Sequence, residues 1–267
     1  MQGKRVLVVG LGRTGMATAR FLAGKGVRLK ISEARPAMEV EAARKALGDL
    51  PAEWEWGGHT PRFFAEADLI VVSPGVPMDV DPLVQARAEG IPVISEMELA
   101  FPFLRRPMIG ITGTNGKTTT TTLVGEMLRA AGRKVFVGGN IGNPLIAYVD
   151  GPQEEDWIVV EISSFQLEGI VNFRAHLSVL LNITEDHLDR YAHFQDYIQA
   201  KGKIFQNQKK DDYALLNADD PLAFQFAHRI ESQVILLVPR GGCPWVASWR
   251  KELLFFRGGT APKKNLG

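Results

Sequence analysis

The residues from Gly110 to Thr119, GITGTNGKTT, have the types and the spacing needed to hold a phosphate group. They lie between an apolar run that ends at Ile109 and a helical pattern over 120–131. In such a strand–turn–helix unit, backbone N–H groups and the helix N-terminus face the anion, and a lysine adds positive charge. We therefore predict that the turn binds phosphate groups through Gly113, Thr114, Asn115, Gly116, Lys117, Thr118 and Thr119.

The glycine spacing of this turn departs from the general P-loop pattern G-x-x-x-x-G-K-[ST], which would require glycine at position 111. The alternative is a glycine-rich turn that contains a lysine by chance. Its place between an apolar strand and a helix favours phosphate binding. The hydroxyl of Thr118 is then positioned to contact a magnesium ion carried by the phosphates.

Two further polar segments follow apolar strands in the same half of the chain. Glu161 ends the run at 157–160, where a second magnesium contact is needed beside a P-loop strand. His187 lies in the acidic loop 182–191 and is a candidate metal ligand or base. The alternatives are an ordinary carboxylate at a strand end and a structural histidine, and we favour the ligand interpretation for both.

A second glycine-rich turn occurs near the N-terminus. Gly10, Gly12 and Gly15 follow the apolar run KRVLVV in the spacing G-x-G-x-x-G, and Glu33 ends the next strand. This pattern is typical of a site where a diphosphate meets a helix N-terminus. A nicotinamide dinucleotide and another nucleotide diphosphate are equally compatible with it, and the glycines could instead serve only strand–helix packing. Arg35 could pair with a phosphate or be solvated, whereas Ser73 ends a strand at the same edge.

The alternation of strand and helix patterns predicts an α/β fold with two parallel sheets. We expect a Rossmann-like domain over 1–98, a linker over 99–107 that contains FPFLRRP, and a P-loop-type central ATPase domain over 108–267. The last stretch, 258–267, is polar, has no periodicity and is expected to be a frayed tail.

Composition argues against several classes of partner. The net charge of +1 creates no global field that would favour nucleic acid or a membrane surface. The single cysteine, Cys243, forms no internal disulfide, which is consistent with a reducing compartment. No apolar run reaches the ~18 residues of a membrane helix. We therefore expect a cytoplasmic protein whose partners are small molecules.

Taken together, several strings of this sequence resemble the Mur ligase family. They are GTNGKTTT at 113–120, GNIGNP at 139–144, EISSFQLE at 161–168, NITEDHLDRY at 182–191 and NADDP at 217–221. The resemblance implies ATP-dependent amide formation in peptidoglycan precursor synthesis. In that reaction a substrate carboxylate takes the γ-phosphate of ATP, and an amino acid attacks the resulting acyl phosphate. EISSFQLE is similar to the members that join D-glutamate to UDP-N-acetylmuramoyl-L-alanine.

The resemblance also implies a role for each site residue. Lys117 and the backbone of 114–118 would hold ATP, and Thr118 with Glu161 would bind the first of two Mg²⁺ ions. His187 and Lys201 would serve the second ion, with Lys201 carbamylated by carbon dioxide. The residues that would bind the UDP part are Gly12, Thr14, Glu33, Arg35 and Ser73, and those that would position the muramoyl-alanine part are Asn140, Ser163 and Gln166.

Members of the family normally carry a third domain, and 241–267 has no match to its adenine-contacting segment. We therefore expect a chain that binds the UDP precursor, binds ATP weakly and turns over poorly or not at all alone. We also expect it to be a monomer. Three other hypotheses about the function remain open. They are a related amide ligase such as a folylpolyglutamate synthase, a non-catalytic nucleotide-sugar binding protein, and a nicotinamide oxidoreductase that would use only the first glycine motif.

Overall fold

The computed structural model describes residues 1–237, which form two parallel β-sheets with helices packed against them. The strands of the first sheet are β1 Arg5–Val9, β2 Arg28–Glu33, β3 Ala52–Trp56, β4 Leu69–Val72 and β5 Val93–Ser95, in the spatial order β3-β2-β1-β4-β5. The helices that accompany them are α1 Arg13–Ala23, α2 Ala37–Leu47, α3 Pro61–Ala65, α4 Asp81–Ala88 and α5 Glu96–Ala100.

The second sheet has the spatial order β11-β10-β9-β6-β8-β7. Its strands are β6 Met108–Thr112, β7 Val135–Gly139, β8 Trp157–Glu161, β9 Leu177–Leu180, β10 Tyr213–Asn217 and β11 Gln233–Leu237. Its helices are α6 Lys117–Ala130, α7 Leu145–Val149, α8 Ser164–Glu168, α9 Phe194–Gly202 and α10 Pro221–Phe224, with short 3₁₀ turns at 101–103, 203–205 and 225–228.

Continuous apolar strands explain why both sheets are covered on two faces. In β1, Val6 and Val8 point into one hydrophobic cluster, while Leu7 and Val9 point into another, and all four are buried. A parallel strand that is buried on both faces needs apolar residues at every position, which is the pattern that KRVLVV shows. The α/β class with parallel sheets is confirmed.

The strand register brings the two glycine-rich turns to the carboxyl edges of their sheets. Val9 pairs with both Ser32 and Val72, so the segments after β1, β2 and β4 leave the first sheet together. In the second sheet Ile111 pairs with Glu161, which places the turn after β6 beside the end of β8. Ligands of open α/β sheets bind in the crevice outside these strand ends.

Helix α5 connects the two halves through buried carboxylates. Glu98 accepts hydrogen bonds from the backbone N–H groups of Val171, Asn172 and Phe173 at 2.8–3.0 Å. Glu96 accepts one from the Ile146 N–H at 2.5 Å. The largest hydrophobic cluster also contains side chains from both sheets. Helix α5 and the 3₁₀ turn after it therefore occupy much of the segment expected to be a linker.

Several elements were not anticipated from the sequence. Strand β3 has the sequence AEWEW, whose charged residues hide its strand character, and α3, α5, α7 and α8 have five residues each, too few for a helical period to emerge. Helix α6 begins at Lys117, earlier than the predicted start at 120. The apolar run QVILLV at 233–238 predicts a strand, which is present from Gln233 to Leu237. Residue 238, Cys243 and the predicted tail lie outside the described residues.

Between residues 1 and 237, no helix combines the length and the apolar character needed to cross a bilayer.

Candidate active site

The turn between β6 and α6 has the backbone of an anion cradle. Gly113 and Gly116 have φ angles of 153° and 82°, which residues other than glycine rarely adopt. Gly116 precedes α6 without a side-chain hydrogen bond that caps the helix, so the first N–H groups of α6 stay available. Lys117 Nζ donates to the carbonyl oxygens of Gly113 at 3.0 Å and Thr114 at 2.7 Å, folded over its own turn.

The carboxylate of Glu161 connects this turn to the neighbouring loop. Its Oε2 accepts the hydroxyl of Thr118 at 2.7 Å, and its Oε1 accepts the side-chain amide of Asn140 at 2.7 Å. The backbone N–H of Asn140 also donates to the Glu161 carbonyl at 2.9 Å. Glu161 is 2% exposed, so the two side-chain donors hold a buried charge in a fixed orientation.

Lys201 lies in α9, behind the turn between β6 and α6 that is predicted to bind phosphate. Its Nζ donates to the Gly113 carbonyl at 2.8 Å and lies 4.4 Å from the centre of the Tyr197 ring. Burial and, next, the nearby charge of Lys117 lower the pKa of Lys201 to about 7, against an opposing effect of Asp186. A substantial fraction of the amine is therefore neutral near neutral pH.

His187 stands on a strained backbone, with a φ angle of 54° that few residues other than glycine adopt. Its ring packs 4.9 Å from Phe165 and 6.1 Å from Tyr197, centre to centre, and its Nε2 is 3.6 Å from an Asp186 carboxylate oxygen. Tyr197 therefore contacts both His187 and Lys201, and its hydroxyl is 3.1 Å from Thr114 Oγ1.

A cleft of about 580 Å³ opens at the carboxyl edge of the first sheet and reaches the second half of the chain. It brings together most of the residues predicted to bind the substrate, namely Gly12, Thr14, Glu33, Arg35, Ser73, Asn140 and Gln166. Ser163 is not among its lining residues. Its hydroxyl instead accepts the Gln166 N–H at 3.3 Å and caps α8.

Glu33 and Arg35 form a pair that organises the first glycine-rich turn. Glu33 Oε2 accepts the backbone N–H of Leu11 at 2.7 Å, and its two oxygens accept Arg35 Nε and Nη2 at 3.0 and 2.9 Å. Burial alone would raise the pKa of Glu33, but the hydrogen bonds from Arg35 and Leu11 lower it to about 2. Part of the role of Glu33 is therefore to hold the turn itself.

The glycines of this first turn do different things. A Cβ on Gly15 would lie 1.9 Å from the Gly10 carbonyl oxygen, so Gly15 serves close packing between β1 and α1. A Cβ on Gly12 would meet nothing within 4 Å, and Gly12 precedes α1 without a capping side chain. Ser73 Oγ donates to the Gly10 carbonyl at 2.8 Å, which fixes the loop after β4 against the turn.

Sequence reasoning missed three residues of this region. Arg190 donates to the carbonyls of Pro74, Gly75 and Val76 at 2.8–3.4 Å and lies 4.1 Å from the centre of the Phe165 ring. Tyr197 packs under His187, and His59 lines the cleft. Only the tertiary fold brings these side chains to the site, although Arg190 stood inside a string already singled out.

The donor set beside α6 fits a nucleotide-bound magnesium ion. A hydroxyl and a carboxylate stand 2.7 Å apart at an uncapped helix N-terminus, and oxygen donors are what Mg²⁺ prefers. Across residues 1–237, no three His, Cys, Asp or Glu side chains gather as a metal cage. A dedicated protein cage is not needed where phosphates supply further oxygens. The metal-binding roles of Thr118, Glu161, His187 and Lys201 stay predictions.

The fold and this arrangement define a P-loop-type α/β protein with a cleft on an N-terminal parallel sheet. Comparison with protein families agrees. The Mur ligase MurD-like N-terminal domain matches residues 4–95, and the Mur ligase middle domain matches residues 111–240. The chain therefore belongs to the Mur ligase family.

Individual relatives share this assignment. A UDP-N-acetylmuramoylalanine–D-glutamate ligase of Geotalea uraniireducens is 52% identical over 260 residues, which cover 96% of this chain and 55% of the relative. The enzyme of the same name from Koribacter versatilis is 45% identical over 257 residues, covering 96% of this chain and 57% of the relative. The chain thus spans little more than half the length of these relatives.

A solved structure shows the same fold. The UDP-N-acetylmuramate:L-alanyl-gamma-D-glutamyl-meso-diaminopimelate ligase from Neisseria meningitides matches with a TM-score of 0.57 and 17% identity. The match covers 88% of this chain and 78% of that chain. At this identity the likeness supports the two-sheet architecture and nothing about the substrate.

Proposed function

We propose that this chain carries the parts of an ATP-dependent ligase that bind UDP-N-acetylmuramoyl-L-alanine and ATP, for amide formation with D-glutamate in peptidoglycan precursor synthesis. One observation carries the proposal. The Glu161 carboxylate joins Thr118, in the first turn of α6, to Asn140, which lines the cleft of the first sheet. A sugar-peptide acid in the cleft would therefore end beside the triphosphate. The relatives named for this reaction support the substrate choice.

ATP would be held by the turn 113–119 and by Lys117. The lysine now donates to the carbonyls of Gly113 and Thr114, so it must swing away from them to meet a phosphate. Thr118 and Glu161 would hold the first magnesium ion with their oxygens. Bound Mg-ATP supplies the phosphoryl group that activates the substrate carboxylate. The charges of Lys117 and of α6 would offset the repulsion between the two anions.

Lys201 is proposed to serve the second ion after carbamylation. Its buried, partly neutral amine can add carbon dioxide with release of a proton, which replaces a cation by an anionic oxygen donor. His187 would complete this site from the loop opposite, where Tyr197 contacts both side chains. Both proteins are supplied with ¹³C-labelled carbon dioxide. A ¹³C NMR signal of a carbamate carbon in the wild type that is missing in Lys201→Arg would support the modification, whereas equal spectra would contradict it.

The remaining roles concern the cleft and the chain as a whole. Gly12, Thr14, Glu33, Arg35 and Ser73 would hold the UDP part, and Asn140, Ser163 and Gln166 the muramoyl-alanine part. We place the UDP domain at 1–98, the linker at 99–107 and the ATP domain at 108–267. The protein would act as a cytoplasmic monomer on small molecules, without nucleic acid or membrane partners.

Calorimetric titration tests the proposal with each ligand in turn. The wild type should bind UDP-N-acetylmuramoyl-L-alanine and, separately, Mg-ATP. Lys117→Met should weaken Mg-ATP by roughly tenfold or more, because charged hydrogen bonds contribute about 1.5–3 kcal/mol, and should leave the UDP ligand unaffected. Lys45→Met is the matched control, because Lys45 is exposed and pairs with Glu41. Binding of a folate in place of the UDP ligand would contradict the proposal.

A further inference from the structure

A small cavity lies beside β7, which is the last strand in the order of the second sheet. Its volume is about 210 Å³, and its walls come from β7, from α7 and from the segment 151–155. The residues that line it include Phe136, Asn143, Tyr148 and Glu155. In the described part of the chain, its lining residues and those of the cleft on the first sheet do not overlap. The cavity is therefore a separate site, which the proposed function does not use.

Tyr148 brings an unsatisfied hydroxyl group to this cavity. Its side chain is 7% exposed, and among residues 1–237 the hydroxyl has no hydrogen-bond partner. A buried polar group without a partner has lost its hydration without compensation, so most such groups in proteins are paired. A ligand in the cavity could therefore form a hydrogen bond that the described residues do not supply.

The carboxylate of Glu155 gives the cavity a negative potential. Glu155 is only partly exposed and forms no ion pair with any residue of 1–237. Burial and, next, the charge of Glu155 raise the pKa of Tyr148 to about 12, while Arg106 opposes them with the smallest effect. The nearby negative charge thus acts on the hydroxyl more strongly than the nearby positive charge. Such a site favours a cation over a neutral or anionic ligand.

Two aromatic rings form the wall next to this carboxylate. The centres of the Phe136 and Tyr148 rings are 4.4 Å apart, and their planes meet at 31°. The Phe136 ring also packs on Gly138, where a Cβ would lie 2.5 Å from its Cζ atom. Aromatic faces attract cations, and a planar guanidinium group stacks on them while its N–H groups donate to a carboxylate. The wall therefore favours a flat cation over a compact one.

The segment 151–155 is held in place by Gln153. This side chain is buried, and its amide nitrogen donates to the carbonyl oxygens of Phe103 at 3.0 Å and Val149 at 3.4 Å. Its amide oxygen accepts the backbone N–H of Arg105 at 3.2 Å. Glu155 therefore follows a fixed point of the chain. A ligand that meets a wall already in position loses less free energy to the ordering of the protein.

We propose that this cavity binds a small guanidinium compound, whose planar cation lies beside Phe136 and Tyr148 and donates to Glu155 and to the Tyr148 oxygen. The side-chain amide of Asn143, which makes no hydrogen bond with any described residue, offers a further acceptor. At about 210 Å³ the cavity is smaller than the ~300–1,000 Å³ of sites for drug-sized ligands, so the ligand has a short alkyl chain. The site is additional to those proposed for ATP and the UDP precursor.

NMR titration with n-propylguanidinium and with n-propylurea tests the inference, because the two probes have nearly the same shape and only the first is charged. The wild type should bind the guanidinium roughly fivefold or more tightly than the urea, in line with a charged hydrogen bond. Glu155→Gln should bring this ratio close to unity. Glu154→Gln, which changes an exposed neighbouring carboxylate that does not line the cavity, should leave the ratio unchanged. Equal binding of the two probes by the wild type overturns the inference.

The same spectra show where the probe binds. The ring signals of Phe136 and the amide of Gly151 should shift together and saturate, whereas saturable shifts confined to other parts of the protein, or none, overturn the inference. Tyr148→Phe keeps the ring and should weaken n-propylguanidinium binding several-fold, and unchanged affinity would contradict the role of the hydroxyl. Equally tight binding of n-butylammonium overturns the assignment to a guanidinium. Each of these failures leaves the binding of the UDP precursor and Mg-ATP untouched, so it is distinguishable from failure of the proposed function.

Discussion

Thr118 and Asn140 donate to different oxygens of one carboxylate, that of Glu161, each at 2.7 Å. Thr118 is the second residue of α6, and Asn140 lines the cleft of the first sheet. The two side chains therefore share one buried carboxylate. Under the proposed function, this one carboxylate would lie between the ATP and the acid that is to be activated.

Replacing Glu161 with glutamine should remove the magnesium dependence of ATP binding. The substitution preserves size and an oxygen for Asn140, but it deletes the charge that would bind the metal. We expect Mg-ATP affinity to fall by roughly tenfold or more, in line with the loss of one charged contact, while affinity for ATP without Mg²⁺ changes little. Calorimetry with and without Mg²⁺ measures both values.

The control for this prediction is Glu126→Gln, in α6, the helix that also contains Thr118. Glu126 is exposed and pairs with Arg129 three residues on, away from the phosphate-binding turn. Its replacement should leave both ATP affinities as in the wild type. Retention of the full magnesium effect in Glu161→Gln would show that this carboxylate does not contact the metal.

Gly12→Ala and Gly15→Ala should separate ligand binding from folding. An alanine at 15 would place its Cβ 1.9 Å from the Gly10 carbonyl oxygen, so we expect a loss of stability of about 1–3 kcal/mol or more from overpacking. An alanine at 12 meets nothing within 4 Å and has an ordinary φ of −77°, so stability should hold. Its methyl group would instead occupy space at the helix N-terminus and weaken UDP binding.

Denaturant unfolding and UDP titration, run on both variants, check this pair. The expected pattern is normal unfolding with weak UDP binding for Gly12→Ala, and early unfolding for Gly15→Ala. If Gly12→Ala bound UDP as the wild type does, the diphosphate would not sit at the start of α1. A fully stable Gly15→Ala would contradict the close strand–helix contact.

The sequence predicted those parts of the site that are local in the chain. The turns at 10–15 and 113–116 could be read because a strand, a glycine-rich turn and a helix follow one another directly, and Glu161 could be read from its place at a strand end. The place of His59 at the cleft could not be predicted, since it depends on contacts with Ser32 and, through Ser32, with Glu55 in neighbouring strands.

Strand β3 shows the same limit at the level of the fold. Its tryptophans, Trp54 and Trp56, stack on one another at 4.8 Å while glutamates alternate with them, so the strand is defined by pairing with β2 and not by its own apolar run. Lys201 is a further case. The family resemblance pointed to it, but its spacing on α9 is that of any solvated helical lysine, and its burial behind Gly113 is visible only in the structure.

Arg190 should be needed to hold the loop after β4. Its guanidinium reaches three carbonyl oxygens at 74–76 and stacks on Phe165, a combination that a lysine cannot reproduce. Arg190→Lys should therefore speed amide hydrogen exchange at Gly75 and Val76 and weaken UDP binding several-fold, with little change in global unfolding. Hydrogen exchange read by mass spectrometry measures the first effect.

Arg129→Lys is the matched control for Arg190, because Arg129 forms an exposed pair with Glu126 on α6. Exchange at 74–76 should be unchanged in it. Equal exchange in Arg190→Lys and the wild type would mean that the loop is held by other contacts, such as the Ser73 hydroxyl on the Gly10 carbonyl.

Glu96 should make stability fall as the pH rises toward neutrality. Burial raises its pKa from 4.5 to about 7, only partly offset by the Ile146 N–H, and its Oε2 is buried without a partner among residues 1–237. Between these two values the folded state holds a proton that the unfolded state has released, so the free energy of unfolding decreases with pH. The full effect is about 3 kcal/mol, lost between pH 4.5 and 7.

Glu96→Gln isolates this contribution, because glutamine keeps an acceptor for Ile146 and does not titrate. The difference in unfolding free energy between wild type and variant should move in favour of the variant across pH 4.5 to 7. Other shifted groups cancel in the difference. Glu33 loses its contribution only as the pH falls toward 2, and Lys201 acts above 7. Parallel pH curves for the two proteins would show that Glu96 is ionised in the folded state at the same pH as in the unfolded chain.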